Sequence, residues 1–256
     1  MLLGVWGLGS VVIADAISYL LAALLIALIA VPPTARVVAE TAETARASFA
    51  TFWHEWIAGL RLIIHDKVLT HIFAVLGIAL FADMVLTAVL VVFVQDEAGF
   101  NATQFGWLLT ARGIGGLAGG LLLAQVGQKV SNRWLAGGGL LGTGLMILVA
   151  VSFPTLRVVM GAITLAGISA IAWMIAFQTM LQQNTTDEYR GRVFGVYGTT
   201  ASLLMVVGSG LAGASADWLG ATVLITASAI ITIIAGLLAW VLFKPALIQE
   251  TAAASV

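Results

Sequence analysis

Seven apolar stretches, each long enough to cross a membrane, dominate this 256-residue sequence. A helix needs roughly 20 apolar residues to cross a hydrocarbon core about 30 Å thick. Polar or helix-breaking residues separate the stretches, and no Pro lies inside any of them. The stretches cover approximately residues 3–31, 68–94, 104–126, 135–153, 157–181, 193–216 and 221–243. We therefore predict an all-α integral membrane protein with seven transmembrane helices.

The composition excludes several other classes of protein. Hydrophobic residues make up 61% of the chain and charged residues only 9%, whereas soluble domains carry about 25% charged residues. Disordered chains need low hydrophobicity and high charge, so that class is excluded as well. The chain has no Cys, which rules out disulfides and thiolate-held metals, and its net charge of −1 gives no basic footprint for nucleic acid.

Basic residues lie almost entirely on one side of the predicted membrane. Nine Lys and Arg residues follow the first, third, fifth and seventh stretches, whereas Arg157 is the only one in the opposite connections. Cytoplasmic connections carry an excess of Lys and Arg. We therefore expect a multi-pass protein of the cell inner (plasma) membrane, with its amino terminus outside and its carboxyl terminus in the cytoplasm.

The spacing of the stretches predicts four parts. Residues 1–31 form a single transmembrane helix, 32–66 a cytoplasmic linker, 67–244 a six-helix bundle and 245–256 a cytoplasmic tail. The second half of the linker has the helical i, i+3, i+4 pattern of an amphipathic helix lying in the inner interface. Its apolar face consists of Phe49, Phe52, Trp53, Trp56, Ile57, Leu60, Ile63 and Ile64.

The six-helix part contains a weak internal repeat. The sequence Gly-Leu-Ala-Gly at 116–119 recurs at 210–213, and the offset nearly equals that between the second and fifth stretches. Two three-helix units in tandem have opposite orientations in the membrane, because three crossings leave the chain on the side opposite to the one where it began. Inverted three-helix repeats are typical of secondary transporters. The repeat therefore favours a transporter over a receptor or a membrane enzyme.

Three ionisable residues lie well inside the stretches: Asp15, Asp83 and Arg112. A charge at the bilayer centre costs at least about 2.5–3.5 kcal/mol, so such residues usually face a cavity or each other. At about 1.5 Å per residue, the depths of Asp83 and Arg112 below the outer surface differ by only about 4–5 Å. The two can therefore pair, either as a static ion pair or as a switch in which protonation of Asp83 releases Arg112. Small residues follow Arg112 on one face and favour close helix packing: Gly115, Gly116, Gly119 and Gly120.

Three segments carry a family resemblance. Residues 15–21 (Asp-Ala-Ile-Ser-Tyr-Leu-Leu), the segment 52–62 with its Gly59-Leu60-Arg61, and residues 187–195 (Asp-Glu-Tyr-Arg-Gly-Arg-Val-Phe-Gly) resemble the carboxyl-terminal part of a major facilitator superfamily transporter. The resemblance is to the macrolide-efflux and enterobactin-exporter-like branch. It implies that the seven helices correspond to helices six to twelve of that fold.

The resemblance also implies what the chain lacks. In this superfamily the substrate cavity lies between two six-helix bundles that rock against each other, and the first five helices have no counterpart here. We expect either a fragment, a start set too late, or a half that assembles with a partner in trans. A family motif after the eighth helix is degraded, because Ala124, Gln125 and Gln128 replace its Asp and both Arg residues, whereas Lys129 keeps one charge.

The resemblance assigns roles to two further groups of residues. The fifth stretch resembles a cavity-bordering helix, so we expect either substrate contact or ordinary packing from Trp173, Met174, Phe177 and Gln178, and Tyr197 in the next stretch is a similar candidate. Cytoplasmic gate candidates are Lys129, Asp187, Arg190 and Arg192. Thr185 and Glu188 also match the spacing of a capping box at the start of a helix.

The sequence thus predicts part of a proton-driven exporter of amphipathic small molecules. Its expected partners are the lipid bilayer, the substrate, protons and the missing amino-terminal half, without nucleic acid. The alternative is a non-transporting membrane subunit or scaffold. We expect no enzyme activity, cofactor or metal site, because His54, His65 and His71 form no i, i+4 pair and no stretch carries a catalytic set. A retinal protein needs a Lys in the last stretch, which has none.

Overall fold

Every element in the computed structural model is helical across residues 2–28 and 56–243, the part of the chain that it describes. A π-helical turn, Phe93–Glu97, extends α3, and a 3₁₀ turn, Gly127–Lys129, follows α4. The predicted all-α class is confirmed. The helices are α1 Leu2–Ala27, α2 Trp56–His65, α3 Lys67–Val92, α4 Ala102–Val126, α5 Asn132–Ser152, α6 Leu156–Gln183, α7 Asp187–Leu219 and α8 Ala221–Leu242.

Six of the described helices are long and apolar enough to cross a membrane, namely α3 with its π-helical turn and α4 to α8. Each contains one of the predicted apolar stretches. The first predicted stretch forms α1, which has 26 residues and is therefore about 39 Å long at 1.5 Å per residue; residues 29–31 lie outside the described part. The chain is a multi-pass membrane protein.

The chain divides into two units, Met1–Thr51 and Phe52–Val256. Within the first, α1 is described by itself. Within the second, α2 packs against the start of α7, because a Cβ on Gly59 would lie 2.8 Å from Cγ2 of Val196. Most of the predicted linker and the tail after 243 lie outside the described residues, so their boundaries stay predictions.

The described residues include only part of the predicted amphipathic helix. Some of its apolar side chains pack against the bundle and others are exposed. Ile63 is buried in the core of the bundle, and Trp56 and Leu60 pack against that core. Ile57 and Ile64 are exposed. The apolar face is therefore wider than the contact with the bundle, which leaves one edge of α2 available to lipid.

The six-helix bundle has a two-fold pattern of neighbours. Helix α6 packs against α4 and α5, α3 packs against α7 and α8, and α5 packs against α8. Exchanging α3, α4 and α5 for α6, α7 and α8 converts the α4–α6 pair into α3–α7 and the α5–α6 pair into α3–α8, and returns α5–α8 to itself. That the two halves are inverted repeats stays a prediction.

Glycines allow α4 and α6 to cross in backbone contact. A Cβ on Gly115 would collide with the backbone carbonyl of Thr164, and a Cβ on Gly119 would lie 2.9 Å from Cα of Ile168. From the other side, a Cβ on Gly167 would collide with the carbonyl oxygen of Arg112. Small residues let membrane helices approach closely, where dispersion contacts replace the missing hydrophobic drive. The predicted small-residue face is therefore used through Gly115 and Gly119, whereas a Cβ on Gly120 would meet open space.

Side chains satisfy the free N–H groups at the start of two helices. Oδ1 of Asp66 accepts hydrogen bonds from the N–H groups of Val68 and Leu69 at the start of α3. Asn101 and Gln104 form a reciprocal capping box at the start of α4. The predicted capping box at Thr185 and Glu188 is wrong, because α7 begins one residue later and its N-cap, Thr186, makes no side-chain cap hydrogen bond.

Glu97 joins the carboxyl-terminal end of α3, with its π-helical turn, to the start of α8. Its carboxylate accepts hydrogen bonds from the backbone N–H of Ala221 at 2.7 Å and of Thr222 at 2.9 Å, and from the Thr222 hydroxyl. The turn before α8 passes through Gly220 with φ +78°, a backbone conformation that residues other than glycine rarely adopt. An anionic side chain is favoured at this place because a helix amino terminus carries partial positive charge.

Gly115→Ala tests the α4–α6 crossing. The added methyl group meets the Thr164 carbonyl, so the helices must separate, and we expect a loss of about 1–3 kcal/mol in unfolding free energy. Gly113→Ala on the same helix is the matched control, because its Cβ meets no atom within 4 Å. Equilibrium unfolding in detergent micelles measures both variants. Equal stability of the two would contradict the crossing.

Glu97→Ala tests the link between α3 and α8. Removing the acceptor leaves the first N–H groups of α8 without a partner, and loss of such a cap typically costs about 0.5–2 kcal/mol. Asp96→Ala removes a neighbouring carboxylate that makes no hydrogen bond to the described residues. We expect only Glu97→Ala to lower the unfolding midpoint, and a loss of the same size in both variants would refute the link.

Candidate functional site

An ion pair lies inside the bundle. Nη2 of Arg112 on α4 is 3.5 Å from Oδ1 of Asp83 on α3, and the side chains are 41% and 27% exposed, respectively. The two residues therefore meet between antiparallel helices, as their matched depths predict. Whether they couple transport to protons stays a prediction.

The pair lies at one end of an apolar cavity, in the half of the bundle that contains the end of α3 and the start of α4. The cavity has a volume of about 60 Å³, and its walls come from α3, α4, α5, α6 and α8. Asp83 and Arg112 are its charged residues, and Thr143 adds a hydroxyl that donates to the carbonyl of Gly139 at 2.8 Å. The apolar walls include Leu86, Leu90, Phe93, Phe105, Leu108, Met146, Ile147 and Ile163.

The glycine crossing fixes the position of Arg112. Its backbone carbonyl lies directly against Gly167 of α6, and Gly115, one turn further along α4, contacts Thr164. A shift of α4 along its axis would bring side chains into these contacts. The guanidinium group therefore reaches Asp83 from a backbone that is held in place by α6.

The attraction within the pair depends on both partners being charged. Taking two charges out of water is costly, and their mutual attraction offsets that cost only while both are charged. Because the Arg112 and Asp83 side chains are 41% and 27% exposed, water screens part of this attraction.

The substrate-facing candidates on α6 fall on two adjacent faces of the helix, about 100° apart, one buried and one exposed. Trp173 and Phe177 are buried in the core with their rings 6.1 Å apart, and Phe177 also meets Phe243 at 6.0 Å. These two residues therefore pack inside the bundle. Met174 and Gln178 are exposed on the adjacent face.

The remaining intramembrane candidates have local contacts. Tyr197 on α7 is half-buried, and its ring lies 6.4 Å from that of Phe194. Asp15 lies on α1, where its backbone carbonyl accepts a hydrogen bond from the Ser18 hydroxyl at 2.7 Å. Neither residue lines the cavity that holds the ion pair.

The cytoplasmic gate candidates pair only within α7 among the described residues. Asp187 and Arg190 form an ion pair of 2.7 Å one turn apart, and the guanidinium of Arg192 lies 5.6 Å from the ring centre of Tyr189. Lys129 is exposed in the 3₁₀ turn after α4. No ion pair joins Lys129 to α7 within 56–243.

The sequence alone did not identify the cavity or the role of Glu97. The cavity is built by ordinary apolar residues such as Phe93, Phe105 and Met146, which have no distinguishing pattern in a chain that is mostly apolar. Glu97 reaches α8 across a separation of 124 residues. The one sequence feature that could have pointed to this contact is a carboxylate directly after an apolar stretch. Such a carboxylate is also expected simply because a membrane helix ends there.

Comparison with known proteins identifies relatives. Residues 72–254 match the family model of the Major Facilitator Superfamily. The chain is also 30% identical over 118 residues to the multidrug efflux pump Tap of Mycolicibacterium fortuitum, a match that covers 46% of this chain and 29% of the pump. The matching part thus spans less than a third of that relative. No solved structure matches the chain.

A double-mutant cycle of Asp83→Asn and Arg112→Gln tests the pair. Each single change leaves one charge beside apolar walls, whereas the double variant leaves none, so the losses in stability should not add. Because both side chains are partly exposed, we expect a coupling of about 1 kcal/mol, well below the value for a fully buried pair. Equilibrium unfolding in micelles provides the four stabilities. Strict additivity would contradict a direct interaction.

Proposed function

The chain belongs to the Major Facilitator Superfamily, and on that premise we propose that it is the carboxyl-terminal portion of a secondary active exporter of amphipathic small molecules, driven by proton antiport. As a multi-pass member of a transporter family, the chain is assigned to membrane transport rather than to enzyme chemistry. The similarity to a pump described as a multidrug efflux pump supports export and a broad range of substrates.

The Asp83–Arg112 pair is the observation that carries the proposal of proton coupling. The carboxylate faces an apolar cavity and has one cationic partner, 3.5 Å away. Protonation from the outer side would cancel the attraction and free Arg112. Since α4 also contacts α6 through glycines, movement of Arg112 would act on the helix that carries Met174 and Gln178.

The proposed transport requires a second helix bundle. Alternating access in this kind of transporter requires one bundle to rock against another around a central site. We propose that the partner is an amino-terminal half, in cis or in trans. Exposed apolar side chains suitable for such a partner or for lipid lie on α4 and α7, including Leu117, Leu121 and Val206.

The substrate surface is proposed to lie on the exposed face of α6. Met174 offers an adaptable apolar contact and Gln178 a polar one, which suits amphipathic organic compounds. Trp173 and Phe177, on the adjacent face of α6, are buried in the core and hold the helix against the bundle. Tyr197 on α7 is proposed as a further contact.

The proposed orientation places the substrate face and the gate relative to the cell. The positive-inside bias supports an amino terminus outside and a carboxyl terminus in the cytoplasm of the inner membrane. In that orientation Lys129, Asp187, Arg190 and Arg192 lie at the cytoplasmic end. We propose that the Asp187–Arg190 pair opens when a residue of the partner bundle replaces one member. Asp15 is assigned a supporting role on α1.

Asp83→Asn tests proton coupling. The chain is co-expressed with the proposed amino-terminal half, and uptake of a fluorescent amphipathic cation is measured in inverted vesicles energised by a pH gradient. We expect at least a tenfold loss of gradient-driven transport, because the neutral amide cannot take up a proton. Substrate exchange without a gradient should persist.

Asp96→Asn is the matched control, because it removes a carboxylate at the outer end of α3 that does not line the cavity. It should transport at the normal rate. If Asp83→Asn also retains gradient-driven efflux, the coupling role is wrong. If the unaltered complex moves no substrate and still assembles, the chain is a membrane subunit or scaffold.

A further inference from the structure

A polar recess lies where α2 and the start of α3 meet the turn between α6 and α7. It is open and has a volume of about 370 Å³, and we call it the α2–α3 recess. None of its lining residues lines the cavity that holds Asp83 and Arg112, so the two cavities are separate. The recess is lined by Leu62, His65, Asp66, Leu69, Asn184, Thr185, Thr186 and Tyr189.

Asp66 gives the α2–α3 recess a carboxylate, and no Lys or Arg is among the lining residues. Oδ1 of Asp66 caps α3 by accepting hydrogen bonds from the N–H groups of Val68 and Leu69. Its other oxygen, Oδ2, has no donor within residues 56–243, and Asp66 forms no ion pair there. A partly buried carboxylate is stabilised by a cationic partner. The free oxygen of Asp66 therefore favours a cation in the recess.

A buried hydroxyl in the turn between α6 and α7 is a second, independent sign of a ligand. Thr185 lines the α2–α3 recess and is only 6% exposed. Its hydroxyl makes no hydrogen bond in the part of the chain that the structure describes. Buried hydroxyl groups are almost always paired, because an unpaired one has lost its water without gaining a partner. Since Thr185 borders the recess, a donor group bound there can supply the missing partner.

Two further side chains add acceptors to the α2–α3 recess. Nδ2 of Asn184 donates to the carbonyl of Met180 at 2.8 Å, which leaves Oδ1 as an acceptor. Nδ1 of His65 lies 2.7 Å from the carbonyl oxygen of Arg61, so Nδ1 carries the hydrogen and Nε2 of the neutral ring accepts. Asn184 is the C-cap of α6 and His65 is the last residue of α2. Two helix carboxyl ends, which carry partial negative charge, therefore lie beside the recess.

From these contacts we propose that the α2–α3 recess binds a primary alkylammonium ion. Such a group has three N–H donors and no acceptor, which matches the free oxygens of Asp66, Asn184 and Thr185. Its alkyl chain would lie along Leu62 and Leu69. An anion would be repelled by Asp66, and a quaternary ammonium ion has the charge without the donors. This binding does not depend on the proposed transport activity.

Two cations that differ only in their donors test the proposal. The purified full chain in a neutral detergent is titrated calorimetrically with butylamine and with butyltrimethylammonium. A mildly alkaline, amine-free buffer keeps alkylamines protonated and imidazole rings neutral. We expect butylamine to bind at least about tenfold more tightly, because hydrogen bonds from a charged donor are strong. Equal affinity for the two cations would overturn the proposal.

Asp66→Asn removes the charge and keeps the cap. Asn caps a helix about as well as Asp, so α3 stays intact, and we expect the affinity for butylamine to fall about tenfold. Thr185→Val should weaken binding by roughly threefold, through the loss of one hydrogen bond. Glu188→Gln is the matched control, because it removes an exposed carboxylate near the start of α7 that does not line the recess. Equal affinities of Asp66→Asn and Glu188→Gln would refute the site.

The ammonium group can belong to a free amine or to the headgroup of phosphatidylethanolamine. The titration is therefore repeated in micelles containing phosphatidylethanolamine or phosphatidylcholine with identical acyl chains. Loss of butylamine binding only with phosphatidylethanolamine assigns the recess to the lipid headgroup, whereas binding in both micelles assigns it to a free amine. Loss in both micelles would contradict the proposal, because a lipid without N–H donors would then occupy the recess.

Discussion

Backbone contact between α4 and α6 is the constraint on which the rest of the bundle depends. In lipid there is little hydrophobic gain in bringing two apolar helices together, so association relies on close packing and hydrogen bonds. Gly115, Gly119 and Gly167 supply the close approach. Because the carbonyl of Arg112 lies inside this contact, the same three glycines also decide where the guanidinium group is held. The ion pair with Asp83 and the cavity beside it follow from that position.

The two ends of the bundle differ in chemistry. One half encloses an apolar cavity around a paired charge, whereas the opposite end opens into a groove between α4, α5 and α6. The core is correspondingly divided into two groups of buried residues, one around Phe93 and Leu108 and one around Phe177 and Met180. The two ends of the bundle therefore pack through separate sets of buried side chains.

Much of this fold could be predicted from the sequence, because the thickness of a membrane fixes how long an apolar helix must be. The contact of Asp83 with Arg112 followed from depth alone. Helical periodicity, however, groups residues by face and does not say which face is inside. Trp173 and Phe177 were therefore grouped with Met174 and Gln178, although the helix places the first two in the core. Contacts between distant segments, such as Glu97 with α8, have no local signal.

The position of α3 has a consequence for the order in which the bundle is completed during synthesis. Within the six-helix bundle α3 is made before the other helices, yet its main neighbours are α7 and α8, which are made after α4, α5 and α6. Until they arrive, the face of α3 that they will cover has to be shielded by lipid or by the insertion machinery. Glu97 then meets α8 at its first residue. The contact between α3 and α8 can therefore form only after α8 has been made.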